Sequence, residues 1–241
     1  MANLTGSDVP DPVPAASVIV LRNGAAGMEV LLLRRSAKAD YLAEAWVFPG
    51  GMVEPEDGED PTALETARAA ASRETLEEAG IRLDPAALVP YSQWCPPPES
   101  PKRFLTWFFV AEMSDLDDVT IDGAEITDHV WVRPADGLAA RDAGKVTLMP
   151  PTWMALHDLC DQPSIEAVLD LARGRTPAYW ETHLAFVPRK DNPDKVEVVA
   201  LWEGDAGYDA CDASVPGARR RLHMGESPWF YDRSVDVDSK A

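Results

Sequence analysis

Apolar positions along this chain gather into short runs that change period as the chain proceeds. Ala16 to Arg22 and Met28 to Arg35 are strand-like runs, and Asn23-Gly24 begins the link between them, which predicts a hairpin with a longer loop. Trp46 to Phe48 is a shorter strand that feeds Gly50-Gly51, a pair suited to a tight backbone turn. From about Pro61 to Ala79 the pattern becomes helical. Asp60 reads as its N-cap, Pro61 as its first residue and Gly80 as its stop. Leu88 to Trp94 and Arg103 to Met113 read as strands, broken apart by Pro96-Pro97-Pro98, and His129 to Val132 as another. Pro134 opens a short helix that ends near Gly144. This order predicts an α/β domain over residues 16–150 with a mixed sheet.

The last third has a different rhythm. Pro151 to Leu159 and Ser164 to Arg173 read as helices. His183 to Val187 and Val196 to Trp202 read as strands around an Asp191-Asn192-Pro193-Asp194 turn, with Leu222 to Met224 and Trp229 to Tyr231 as two more. Residues 151–241 are therefore expected to be an α+β extension packed on the core, with a homodimerisation element as the alternative. Met1 to Ala15 is polar and proline-rich and reads as a flexible tail. It lacks the cationic head and apolar core of a signal peptide.

The chemistry concentrates in the helix Pro61–Ala79. Glu74 and Glu78 are four residues apart and share a helical face, with Glu77 beside them. Carboxylates so placed repel unless a cation lies between them. Hard divalent ions such as Mg²⁺ or Mn²⁺ take a few carboxylates, several waters and substrate phosphates. Taken alone, a Glu-Glu pair in an acidic chain is more often a solvated face. The turn at Phe48-Pro49-Gly50-Gly51, the helix and the Gly80 stop together form one loop–helix–loop unit, and that favours the metal reading.

At this point the chain resembles the Nudix hydrolases. Their signature is a Gly, five residues, a Glu, seven residues, then Arg-Glu-apolar-any-Glu-Glu-any-Gly-apolar. Glu65, Arg73, Glu74, Glu77, Glu78, Gly80 and Ile81 fit it, and Thr75 stands at a position that is normally larger and apolar. Gly51 is separated from Glu65 by thirteen residues in place of five, the extra segment being acidic and turn-rich. A loop insertion of this kind costs little entropy. The resemblance implies an α/β/α sandwich and metal-dependent cleavage of the diphosphate bond in a nucleoside diphosphate derivative. It implies Glu74 and Glu78 as metal ligands, Glu77 as a third or through water, and the backbone near Gly51 as a further contact. Arg73 then holds the carboxylates, Glu65 ties loop to helix, and Gly50 and Gly80 shape the backbone. A general base is expected from the segment Asp122 to His129, where Glu125 is the first choice over Asp128 and His129. His157, His183 and His223 are scattered and read as structural.

Two segments bear on substrate. Leu31 to Gly51 is similar to the coenzyme A diphosphatase pattern of the same superfamily. Leu31, Leu32, Arg35, Ser36 and the spacing to Phe48 match, while Leu33, Asp40 and Glu44 replace a Thr, an Arg and a Gly. The Arg73–Gly80 region with Trp94, Pro101-Lys102-Arg103-Phe104 and Trp107-Phe108-Phe109 resembles acyl-coenzyme A diphosphatases. Ser92, Gln93, Pro96, Pro98 and Ser100 instead match part of an array found in NADH diphosphatases, so NADH or ADP-ribose is the alternative substrate class. A non-catalytic ligand-binding module is the other alternative, although such modules usually lose the helix carboxylates that are all kept here.

Composition narrows the partners. A formal net charge of −19 disfavours polymeric nucleic acid, which is bound by Lys and Arg neutralising phosphates. A small phosphorylated substrate is compatible, because bound metal and a few arginines reverse the local field. Arg35 and Arg103 are the first-choice phosphate contacts among Arg34, Arg35, Lys38, Lys102 and Arg103. No apolar stretch approaches the ~20 residues of a membrane span. Cys95, Cys160 and Cys211 form neither a metal pattern nor an even disulfide framework, so a reduced, cytoplasmic protein is expected.

Overall fold

The first strand, β1 (Val13–Gly24), organises the larger part of the chain. Val18, Ile19, Val20 and Leu21 are all fully buried, so both of its faces are covered, and the unbroken apolar run is what such a strand requires. The computed structural model describes residues 11–39, 41–113, 118–189, 192, 194–225 and 228–234. These fall into two compact units. One comprises the described residues of Pro12–Trp94 and Phe104–Tyr179; the other comprises Asp11, Cys95–Arg103 and the described residues from Trp180 onward.

In the first unit β1 is followed by β2 (Gly27–Arg35), β3 (Ala45–Val47), β4 (Gly50–Met52), α1 (Leu64–Ala79), β5 (Val89–Cys95), β6 (Phe104–Glu112), β7 (Ile126–Val132), α2 (Pro134–Asp142), β8 (Thr147–Leu148), α3 (Pro150–Leu159) and α4 (Ile165–Arg173). The strand order is β8-β3-β2-β1-β6-β5, with β4 added on β1 and β7 on β2. β1 runs parallel to β6 and β3 parallel to β8, while the other pairs are antiparallel, so the sheet is mixed as expected. α1 lays Ala67, Ala70, Ala71 and Ala79 against Val18, Val20, Leu31, Leu33 and Phe109 in the main core. These small side chains let the helix backbone approach the sheet closely.

Several expectations are corrected. Val13 to Ala15 belong to β1, paired with Phe104 to Thr106, and not to a flexible tail; residues 1–10 lie outside the described residues. α1 begins at Leu64 with Ala63 as N-cap, not at Pro61. Asp60 instead closes the preceding turn, where its carboxylate accepts from the Thr62 amide (2.9 Å) and hydroxyl (2.7 Å). Those donors are nearer in sequence than any free helix amide. β7 begins at Ile126, so Asp128 and His129 lie within a strand and only Glu125 precedes it.

The boundary between units falls at Tyr179, beyond the division anticipated at residue 150. α3 and α4 belong to the first unit, and β9 (Ala178–Glu181) spans the boundary. The second unit carries an antiparallel sheet of β10 (His183–Pro188), β11 (Val196–Leu201), β12 (Arg220–His223) and β13 (Phe230–Arg233). Its interior is tied by a buried fork. Arg221 donates from Nε to Asp205 Oδ2 (2.8 Å) and from Nη2 to Asp205 Oδ1 (2.6 Å), and the Arg220 and Gly207 amides donate to the same carboxylate. Asp191 and Pro193 of the expected turn lie outside the described residues; Asn192 O accepts from the Lys195 amide at 2.9 Å.

Candidate functional site

The turn before β4 is pinned from two sides. Pro49 O accepts from the Val18 amide (2.9 Å) and from the Ser17 hydroxyl (2.7 Å) of β1. Gly50 then has φ 155°, and a Cβ there would enter the backbone of Ala16 and Ser17. Its amide points at α1 and donates to Glu78 Oε2 at 2.9 Å. A Cβ on Gly51 would collide with the Glu74 carboxylate. Gly50 thus permits close approach of the turn to β1, and Gly51 close approach to the Glu74 carboxylate.

At the other end of the helix, Gly80 takes φ 71° and its amide donates to Leu76 O, the left-handed stop read from the sequence. A Cβ on Gly80 would press on Thr120 at 3.1 Å, and the Thr120 amide donates to Ala79 O at 2.8 Å. That contact carries the following loop back toward the carboxylate face. Asp122 receives the Glu125 and Ile126 amides (2.9 Å each), and Glu125 O accepts from the Ser36 amide at 2.7 Å. The loop bearing Glu125 is therefore held by the Asp122 carboxylate on one side and by a backbone bond from Ser36 on the other. A register shift in the β2–β7 pairing between Arg34 and Arg35 re-aims Arg35 at the end of β2. Its guanidinium donates to Tyr41 O at 3.3 Å, and its charge acts on Glu78.

Glu74, Glu78, Glu125 and Arg35 thus share one electrostatic neighbourhood. Glu78 is only 5% exposed. Burial pushes its carboxyl up to about 8, opposed by the Gly50 amide and Arg35 and assisted by Glu74 and Glu125. Burial also raises Glu74, with Arg73 pulling it down and Glu77 and Glu125 pushing it up. A set of carboxylates that penalise one another's charge calls for a cation. Their hard oxygen donors fit Mg²⁺ or Mn²⁺ bound through a few protein ligands and water. Among the described residues, no three acidic, His or Cys groups already converge into a cage, so water and substrate must complete such a site. A concavity of about 410 Å³ is lined by residues that include Arg68, Leu88 and Arg175 and by none of these carboxylates. The site is assigned from its chemistry and not from that hollow.

Arg73 holds the carboxylates, but its main partner is one the sequence did not reveal. Its Nε and Nη2 donate to Asp57 Oδ1 and Oδ2 at 2.9 Å each, Nη2 also to Met52 O (3.0 Å), and Nη1 to Glu74 Oε1 (2.9 Å) and Glu77 Oε2 (3.1 Å). Glu65 stands exposed in the first turn of α1 and makes no hydrogen bond or ion pair among the described residues. Thr75, where an apolar residue was expected, is fully buried with its hydroxyl donated to Ala71 O at 2.7 Å, so its polarity is satisfied within the helix.

The remaining expected residues are placed elsewhere or outside the described chain. Arg103 belongs to the second unit, where it donates to Pro96 O and Cys95 Sγ (3.4 Å each). Asp40 lies outside the described residues. Glu44 adopts φ 63°, a conformation natural to the Gly that the coenzyme A pattern has there, and pairs with Arg34 at 2.9 Å. His183 is bound to Tyr208 O and His223 to Glu197, both at 2.9 Å. Cys95, Cys160 and Cys211 form no disulfide. No helix among the described residues is long and apolar enough to cross a membrane.

Comparison with known proteins adds an independent line. Residues 11–150 match the family model described as NUDIX domain, more than half of the chain. The chain is similar to "Putative nudix hydrolase 7" of Caenorhabditis elegans, with 24% identity over 176 residues. That match covers 55% of this chain, and the chain spans only 59% of the relative's length. It is also similar to the crystal structure of a NUDIX hydrolase from Alicyclobacillus acidocaldarius, with a TM-score of 0.61 and 24% identity, covering 70% of this chain and 97% of the other. At that identity the likeness is one of fold.

Proposed function

This chain belongs to the NUDIX domain family, and on that premise we propose that it is a metal-dependent hydrolase of the diphosphate bond in a nucleoside diphosphate derivative. The observation that carries the proposal is the neighbourhood of Glu74, Glu78 and Glu125, with Glu78 buried and its charge disfavoured in the absence of a cation. Mg²⁺ or Mn²⁺ at Glu74 and Glu78 would supply Lewis acidity and a more acidic bound water. The chain's own groups do the rest. The Gly50 amide orients Glu78, and Arg73 orients Glu74 and Glu77. Glu125 is proposed as the base that takes the proton of the attacking water, with Glu77 as a further ligand directly or through water. Arg35, whose charge acts on Glu78, is the basic group proposed for the substrate phosphates. The water oxygen bonds to one phosphorus, the bridging P–O bond breaks, and the leaving phosphate carries the electron pair.

For the substrate we propose coenzyme A or an acyl-coenzyme A, split to 3′,5′-ADP and 4′-phosphopantetheine or its acyl form. The Leu31–Gly51 pattern supports this, and so does Glu44, which keeps a glycine-like backbone where that pattern has Gly. The Ser92–Ser100 segment favours NADH or ADP-ribose as the second reading. Turnover of coenzyme A, an acyl-coenzyme A, dephospho-coenzyme A, NADH and ADP-ribose with Mg²⁺ or Mn²⁺ separates them. A 3′-phosphate held by a charge-assisted bond of about 1.5–3 kcal/mol makes dephospho-coenzyme A roughly ten- to a hundredfold poorer in kcat/KM. Faster turnover of NADH or ADP-ribose than of coenzyme A and its thioesters rejects the first reading. No turnover of any compound leaves a ligand-binding module.

A further inference from the structure

The acidic segment between Gly51 and α1 is more than a tolerated insertion. Pro55–Asp57 forms a single 3₁₀ turn in which the Asp57 amide donates to Glu54 O (3.0 Å) and Asp57 Oδ2 accepts the Glu54 amide (2.8 Å). Gly58 follows it, and a Cβ there would strike Thr66 Oγ1, so the segment lies close against α1. The Asp57 side chain is 3% exposed and meets Arg73 fork to fork. That arrangement is the strongest geometry available to this ion pair. Burial pulls the Asp57 carboxyl up, but the bonds from Arg73 and from the Glu54 amide hold it below its ordinary range.

Resting on the metal-hydrolase reading, we propose that Asp57 is the positioning residue of this site, in the place that the family pattern gives to Glu65. Two physical effects follow from its geometry. The fork fixes the plane of the Arg73 guanidinium, and with it the directions of the two bonds that Nη1 makes to Glu74 and Glu77. The Asp57 charge also absorbs much of the guanidinium's positive charge. Without it the guanidinium keeps Glu74 and Glu77 as its carboxylate partners, and there it competes with a divalent ion for the same groups. Glu65 can do neither from its exposed position.

The test compares Asp57→Asn with Glu65→Gln and with Glu56→Gln. The last removes a charge from the same 3₁₀ turn at an exposed position away from Arg73. Mn²⁺ affinity is read by titration of the protein alone, and kcat and KM are read on whichever substrate the parent turns over. Asp57→Asn is expected to weaken Mn²⁺ binding and lower kcat by about ten- to a hundredfold each, with KM changed less. Glu56→Gln should leave Mn²⁺ affinity unchanged, and Glu65→Gln should have the smaller effect of the two supporting acids. Asp57→Glu, which keeps the charge, should hold Mn²⁺ affinity closer to the parent than Asp57→Asn does. In an Arg73→Lys background, adding Asp57→Asn should change Mn²⁺ affinity by less than about threefold, because its effect runs through the guanidinium. A larger loss in Glu65→Gln than in folded Asp57→Asn, or an undiminished effect in the Arg73→Lys background, overturns the proposal. If the parent binds Mn²⁺ but hydrolyses nothing, the hydrolase reading fails and the Mn²⁺ series still decides the role of Asp57. A parent that takes up no Mn²⁺ removes both.

Discussion

Glu78→Gln in metal-free protein should change the pH dependence of stability in a way that reports directly on the buried carboxyl. In the folded chain burial moves Glu78 from 4.5 to about 8. Between those values the folded state keeps a proton that the unfolded chain has released. Stability therefore falls as pH rises through that window, by at most about 1.4 kcal/mol per pH unit, and the penalty is complete above about 8. The full shift sets a ceiling of roughly 4–5 kcal/mol, and coupling to Glu74 and Glu125 makes a loss of about 2–5 kcal/mol the working expectation. Gln keeps the acceptor for the Gly50 amide and carries no charge to penalise. With EDTA present, the Glu78 penalty is absent near about pH 4 and makes the variant the more stable by about 2–5 kcal/mol near about pH 9, relative to the difference at the lower pH. For a chain of this size that is roughly 5–15 °C in Tm. Urea or thermal unfolding followed by circular dichroism reads the difference, and titrations shared by both proteins cancel. A parent-minus-variant difference that is flat with pH would mean that Glu78 is not held against ionisation. The same proton must leave when a cation binds, so Mn²⁺ affinity should rise by up to about tenfold per pH unit below about 8 and then level off.

Three further outcomes follow from other parts of the chain. Arg35→Ala should raise KM by about tenfold or more and lower kcat less, as expected for a ground-state phosphate contact; unchanged steady-state constants reject that role. Glu125→Gln should lower kcat by about a hundredfold or more with Mn²⁺ affinity nearly kept, and a rate close to the parent's would pass the base to another group. Asp205→Ala leaves Arg221 charged and buried, at 3% side-chain exposure, and should cost about 3–5 kcal/mol in unfolding; a change below about 1 kcal/mol would contradict the burial of that pair.

The parts of the fold that were legible in the sequence are those that local chemistry decides. The Ala16–Arg22 run became the centre of β1, and Gly80 stopped α1 because only a residue at ease with positive φ suits that cap. The spacing of Glu74 and Glu78 is fixed by helical geometry alone. Features set by distant partners were not legible. β4 is Gly-Gly-Met, which has no strand propensity and is a strand only because β1 offers it hydrogen bonds from a segment more than thirty residues earlier. The start of α1 was misplaced because Asp60-Pro61 has the composition of a helix start, yet Asp60 spends its carboxylate on Thr62. Asp57 was hidden for a related reason. One signal could have found it, since Asp57 follows Gly51 after five residues as the signature's acid does, but the seven-residue count back from Arg73 points to Glu65 instead, and Arg73 is sixteen positions from Asp57. Glu125 could be proposed from its loop, but what brings it toward Glu78 is the pairing of β7 with β2 and the bond from Thr120 to the end of α1.

The α1 carboxylates are proposed to serve phosphoanhydride hydrolysis through a divalent cation. Single-turnover hydrolysis of coenzyme A by the parent and by Glu78→Gln, each with and without Mg²⁺, tests this role most directly, with phosphorus NMR identifying the products. The parent is expected to give 3′,5′-ADP and 4′-phosphopantetheine only when Mg²⁺ is present, and the folded variant to be slower by roughly two or more orders of magnitude. Near-normal turnover by folded Glu78→Gln, or undiminished turnover by the parent in EDTA, would contradict it.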